Sequence, residues 1–137
     1  MISIGEYFGP WLNHPDATRD RKQHAERLLD ACARLESYAI ADGVAFPLNP
    51  ATGSGVSGKT YGGFRPQSCT QGSAHSNHKE GLAVDRFDPL GKIDAWCLAN
   101  LDKLAECCIW IESPDDTEHW SHWQCVPPGS GHRVFNP

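Results

Sequence analysis

No stretch of this 137-residue chain is apolar for long enough to cross a bilayer, a task that takes about 20 consecutive predominantly apolar residues in a helix. The opening segment, MISIGEYFGPWLNHPDATRDRKQ, also lacks the basic start, apolar run and small-residue cleavage site of an export signal. The expectation is a chain made in the cytoplasm without a signal peptide. Positive charge is scarce: 12 Lys and Arg stand against 17 Asp and Glu, a formal charge of -5. Binding a phosphate backbone needs a reservoir of cations, so neither nucleic acid nor membrane is an expected partner. CxxC pairs are absent among Cys32, Cys69, Cys97, Cys107, Cys108 and Cys125, which excludes the usual cysteine zinc knuckle. Without export these thiols are expected to be reduced. Cys32, Cys97 and Cys108 fall at helix-core spacing, where a free thiol serves as a small buried hydrophobe. Cys69 has no flanking motif or helix N-terminus to activate it as a nucleophile.

What the chain does contain is enough for one domain, residues 1–137, with its own core. From Pro15 to about Asp42, apolar residues at Ala25, Leu28, Leu29, Cys32, Leu35 and Ala39 recur at three and four, which predicts a helix with one buried face. Phe46 to Phe64 is so rich in Gly, Pro, Ser and Thr that a surface loop is expected. Ile93, Trp96, Cys97, Leu101, Leu104, Ala105 and Cys108 write a second helix. LAVDRFD, CIWIES and HWSHWQCV read as strands, the last two joined by PDDTE as a hairpin loop. Two helical blocks with late strands and a hairpin predict an α+β fold, an antiparallel sheet with helices packed on one face. The tail PPGSGHRVFNP shows no periodicity and is expected to lie on the surface as an ordered coil.

The segment SNHKEGLAVD, Ser76 to Asp85, carries the chemistry. A catalytic zinc site takes three protein ligands from His, Asp, Glu or Cys and keeps a fourth position for water. With residues 82–87 as a strand, Ala83 and Asp85 share one face and Val84 and Arg86 the other. His78 lies on the turn into that strand, and Gly81 permits the turn. In the late hairpin Trp120, His122 and Gln124 alternate onto one face. His122, mid-strand, is the better third ligand, and His119, nearer the loop, a candidate substrate contact.

Ser76-x-His78-x-x-Gly81-x-Ala83-x-Asp85 resembles, at every fixed position, the SxHxxGxAxD motif of the zinc D-alanyl-D-alanine carboxypeptidases and their relatives. That group includes bacteriophage cell-wall endopeptidases and the hedgehog signalling domain. GGFRP looks like the family's SGYR or SGWRP element and aligns Arg65 with its active-site arginine. WSHWQCVPPGSGHRVF is similar to the segment that carries the third zinc ligand in small phage-encoded members.

The resemblance implies a hedgehog or D-Ala-D-Ala peptidase-like fold and a Zn2+ held by His78, Asp85 and His122. It implies a hydrolase that cleaves peptidoglycan stem peptides as a carboxypeptidase or an endopeptidase. Arg65 would face the oxyanion or a substrate carboxylate, and Ser76 would hydrogen-bond the substrate or a ligand. Trp120, which flanks His122 on its own face, is the expected substrate wall beside the candidate contact His119. Many members carry a glutamate three residues before the third ligand, and here His119 stands there. With Pro114 to Glu118 as the loop, Glu112 pairs with Trp120 on the face of His122. Glu112 is thus the expected general base, ahead of Glu118 and Asp116. A monomeric, endolysin-like enzyme of bacteriophage type is expected, acting on the cell wall after release at lysis or as part of a virion. The alternative is a non-catalytic zinc-containing binding module, or a virion structural module, on the same scaffold.

Overall fold

The computed structural model describes residues 1–137. A five-residue helix too short to show periodicity comes first, α1 (Ile4–Phe8). Ser3 accepts from the Glu6 amide at 3.1 Å, and the Glu6 carboxylate accepts from the Ser3 amide at 2.7 Å, a reciprocal cap that satisfies two orphan donors. The long helix α2 (Arg19–Ala41) starts at Thr18 rather than near Pro15. His14 to Ala17 instead form a turn closed by the Ala17 amide on the His14 carbonyl at 2.9 Å. As the spacing predicts, α2 buries Ala25, Leu28, Leu29, Cys32, Leu35 and Ala39.

The second predicted helix is two, α3 (Lys92–Ala99) and α4 (Leu101–Glu106). Asn100 breaks it: its side-chain amide donates to the Trp96 carbonyl at 2.8 Å, competing with the helical ladder. The pattern stops at Glu106, so Cys107 is buried, whereas Cys108 is exposed with a φ of 55°. The expected burial of Cys108 is thereby corrected. No helix is long and apolar enough to cross a membrane.

The predicted strands appear as β1 (Ala83–Phe87), β2 (Trp110–Glu112) and β3 (Trp120–Gln124). A two-residue strand in the tail, β4 (Val134–Phe135), was expected to be coil. Sheet order is β1-β3-β2-β4. β3 pairs antiparallel with both β1 and β2, but β4 lies parallel to β2, so the sheet is mixed rather than antiparallel. Ile111 and Ser113 donate their amides to the Arg133 and Phe135 carbonyls at 2.9 and 2.7 Å, which recruits the tail.

Val84, Ile111 and Trp123 point into the core, together with the long helix's apolar stripe, α1 and α3. Arg86 shares that buried face. Its guanidinium lies 3.0 Å from Glu36 and over the rings of Phe46 and Trp123, 4.8 and 5.2 Å from their centroids. The Gly-rich loop is not merely superficial. Its Val56 bridges to Arg86, and Ser57 and Phe87 donate amides to Asp85 and Gly55 carbonyls at 2.8 Å, so it borders the outer edge of β1. Asn49, a buried residue of the same loop, donates to the Val56 and Gly58 carbonyls at 3.2 and 2.8 Å.

Candidate metal centre

Opposite the core face, the sheet presents Asp85, Glu112, His122 and Gln124. The β1–β3 register sets Asp85 directly across from His122. His78 arrives from a short 3-10 helix, Asn77–Glu80, whose start is capped by the Ser76 hydroxyl accepting from the His78 amide at 3.3 Å. Gly81 ends it at a φ of 76°, with its α-carbon against α2, where an added Cβ would stand 2.5 Å from the Arg21 carbonyl oxygen. A larger residue would push the His78 turn away from α2 and displace that imidazole.

Each imidazole is oriented by a partner on its far nitrogen. His78 Nδ1 lies 2.8 Å from the Gly63 carbonyl, which can only accept. Its Nε2 therefore carries the lone pair, 3.3 Å from Asp85 Oδ1. His122 is the reverse. Gln124 donates its amide to the Val126 carbonyl at 2.8 Å, which turns its Oε1 to accept from His122 Nε2 at 3.0 Å. His122 Nδ1 is left facing Asp85 Oδ1 at 2.8 Å. Arg65 holds the other carboxylate oxygen, Oδ2, at 3.2 Å, while its Nε donates to the Tyr61 carbonyl at 2.7 Å.

The donor atoms of His78, Asp85 and His122 all lie within 4.8 Å of one another, and all three residues are buried. Burial opposes charge on each, and the neighbours decide the outcome. The Asp85 carboxyl is held well below the usual carboxylate range because the two histidines overcome its burial. Burial lowers the pKa of His78 despite the carboxylate beside it. His122 is also depressed by burial, but the hydrogen bond and charge of Asp85 win and raise it.

An imidazole lone pair and a carboxylate oxygen 2.8 Å apart must share a cation, either a proton or a metal ion. The donor set fits zinc, which takes imidazole nitrogen and carboxylate oxygen. Two donors about 2.0–2.1 Å from a tetrahedral ion stand about 3.3 Å apart, the separation His78 and Asp85 already have. The far-nitrogen contacts to Gly63 and Gln124 are of the kind that orient metal-bound histidines.

Glu112 lies beside this cluster, its Oε2 3.9 Å from His122 Nδ1. The β2–β3 register pairs Trp110 with Gln124 and Ile111 with Trp123, which carries Glu112 opposite His122 rather than the expected Trp120. Burial, reinforced by the charge of Asp85 against the countering His122, raises the Glu112 pKa. His78, Asp85, His122 and Glu112 line a cavity of about 610 Å³, together with Arg65, Ser76 and Trp120. Ser76 borders this space but already accepts from the His78 amide, so it also serves to place that histidine.

Glu118, Asp116 and His119 do not line the cavity. Asp116 is exposed on a 3-10 turn, Pro114–Asp116. His119, at a φ of 74°, lies 3.3 Å from Glu118 and borders a separate cavity with Pro89 and Leu90. Sequence reasoning missed Gln124 and Gly63 as orienting groups. Gln124 was visible as a polar residue two positions after His122 on the same face, whereas a backbone carbonyl leaves no such signal. Comparison of the chain with protein-family models, curated proteins and solved structures finds no match.

Proposed function

We propose that this chain is a zinc-dependent peptidase that hydrolyses peptidoglycan stem peptides next to D-alanine. The observation that carries the reading is the convergence of His78 Nε2, Asp85 Oδ1 and His122 Nδ1 beside a carboxylate, Glu112, in an open cavity. The resemblance of the Ser76 to Asp85 segment to the carboxypeptidase motif supplies the substrate class. Zinc bound there would act as a Lewis acid and lower the pKa of a coordinated water from about 15.7 toward ~7.

The chain's own groups do the rest. Glu112 takes a proton from the attacking water and returns it to the departing amine, a role suited to a half-buried carboxylate 3.9 Å from His122. Arg65 fixes the orientation of Asp85 through Oδ2 and borders the cavity where charge develops on the carbonyl oxygen. Trp120 forms a wall beside the reacting bond. Such an enzyme would reach the cell wall on release at lysis or as part of a virion.

The test is hydrolysis of purified peptidoglycan and of a D-Ala-D-Ala peptide by the zinc-loaded protein. Glu112→Gln should retain zinc and lose turnover, whereas His78→Ala and His122→Ala should lose both. Zinc bound at these residues with no turnover of either substrate would favour the binding-module alternative, kept in view by the histidine that stands at position 119.

A further inference from the structure

The cavity around the metal centre continues past Arg65. Beyond Arg65 and Trp120 lies a second cavity of about 450 Å³, bordered by Ser57, Lys59, Thr60 and Tyr61. Arg65, Gln71, Asp85 and Trp120 line both cavities, so Asp85 stands where they meet. A peptide bond at the metal centre thus has room on either side. Each arm alone falls within the ~300–1,000 Å³ of ordinary ligand sites, more than a single alanine leaving group would fill.

We propose that the cleft holds an extended peptide across the metal centre, making the chain an endopeptidase, and that the arm beyond Arg65 is a subsite for a carboxylate recognised by Lys59. This rests on the zinc-peptidase reading and narrows it. Two further observations support the subsite. First, its wall is built in advance. Trp11 stacks on Tyr61 at 5.8 Å and donates its Nε1 to the Thr60 carbonyl at 2.9 Å, and Asn49 holds the Gly58 carbonyl at 2.8 Å. A Gly-rich segment without regular secondary structure is thereby pinned at Gly58, Thr60 and Tyr61, on both sides of Lys59, which lowers the ordering cost a ligand would otherwise meet.

Second, its charge is available. Arg65 commits three of its five N–H groups to Tyr61, Gln71 and Asp85, and the other two are what it can offer the reacting carbonyl. Lys59 is exposed, enters none of the chain's ion pairs, and borders this arm but not the cavity of the metal centre. Ser57, Thr60 and Tyr61 line the same arm, a setting that suits an anion with hydrogen-bonding oxygens.

The test compares a short peptide ending in D-Ala-D-Ala with peptides extended past that bond. One extension carries its only carboxylate on a side chain, one at the C-terminus, and one has both positions amidated. The extended peptides should show the higher kcat/KM. Lys59→Ala should raise KM about 10-fold for whichever carboxylate is recognised, the scale of one charge-assisted hydrogen bond, and should leave the amidated peptide unaffected. Which extension loses its advantage on amidation identifies the source of the carboxylate. Cleavage of the short peptide alone would keep the peptidase reading and overturn the endopeptidase proposal. A KM insensitive to Lys59, or equally changed on the amidated peptide, would overturn the subsite. Failure to cleave any of them overturns both.

Discussion

His78 and His122 offer opposite ring nitrogens to one oxygen of Asp85, the first through Nε2 at 3.3 Å and the second through Nδ1 at 2.8 Å. The choice of nitrogen is made on the far side of each ring, by Gly63 for His78 and by Gln124 for His122.

Gln124→Leu should release His122 to place its proton on either nitrogen. Zinc affinity is expected to fall by about 10–100-fold, the usual effect of losing such an orienting partner, with far-UV circular dichroism unchanged. Competition with a chelating dye gives the affinity, and ¹⁵N shifts of the ring report the tautomer. Unaltered affinity and a single tautomer would show that Gln124 does not hold the ring.

Glu112 tests the chemistry apart from the metal. Glu112→Gln should lower kcat by roughly 10²–10⁴, the span of a general acid or base, with one zinc still bound per chain. Because the wild-type base must be ionised, activity should fall at acid pH, where the carboxylate takes up a proton. A variant that keeps full turnover removes Glu112 from the reaction.

Arg86 and Glu36 form a charge pair within the core. Arg86→Met strands the buried Glu36 carboxylate, which keeps only the Met1 ammonium at 2.9 Å. Stability should fall by about 3 kcal/mol, the lower end for breaking a buried pair. Replacing both by apolar residues, Arg86→Met with Glu36→Leu, should recover most of it in urea unfolding. Equal losses for the single and double variants would show that the pair is not coupled.

Burial, with the Asp88 carboxylate adding to it, pushes the Asp94 carboxyl up to about 6. One of its oxygens has no hydrogen-bond partner, and the other accepts from Thr117 at 3.3 Å. A raised folded-state pKa means that the fold prefers the protonated acid. The resulting stability is complete below the unfolded value of about 3.9 and is lost as pH climbs through about 6. Asp94→Asn cannot ionise, so its stability relative to the wild type should rise between about pH 4 and pH 7. A difference in urea midpoint that stays constant over that range would contradict the assignment.

Much of the site was legible because a strand has period two. Alternation alone separated Asp85 from Val84 and Arg86, and put His122 with Gln124. Spacing could not reveal the β2–β3 register. The 3-10 turn and the left-handed His119 make the connection run from Ser113 to His119, and Glu112 shifts from Trp120 to His122. Helix α1 and strand β4 were missed because five and two residues are too few to show a period. The Gly-rich loop was read as surface because composition does not report the backbone bonds by which it borders β1. The helix break at Asn100 depends on one side-chain hydrogen bond and not on a Gly or Pro.

Metal content tests the central claim most directly. Purified protein dialysed against trace zinc should carry one ion per chain, and His78→Ala, Asp85→Ala and His122→Ala should each abolish it while retaining the circular dichroism of the fold. A wild-type chain that binds no zinc, or folded variants that bind it undiminished, would contradict the account.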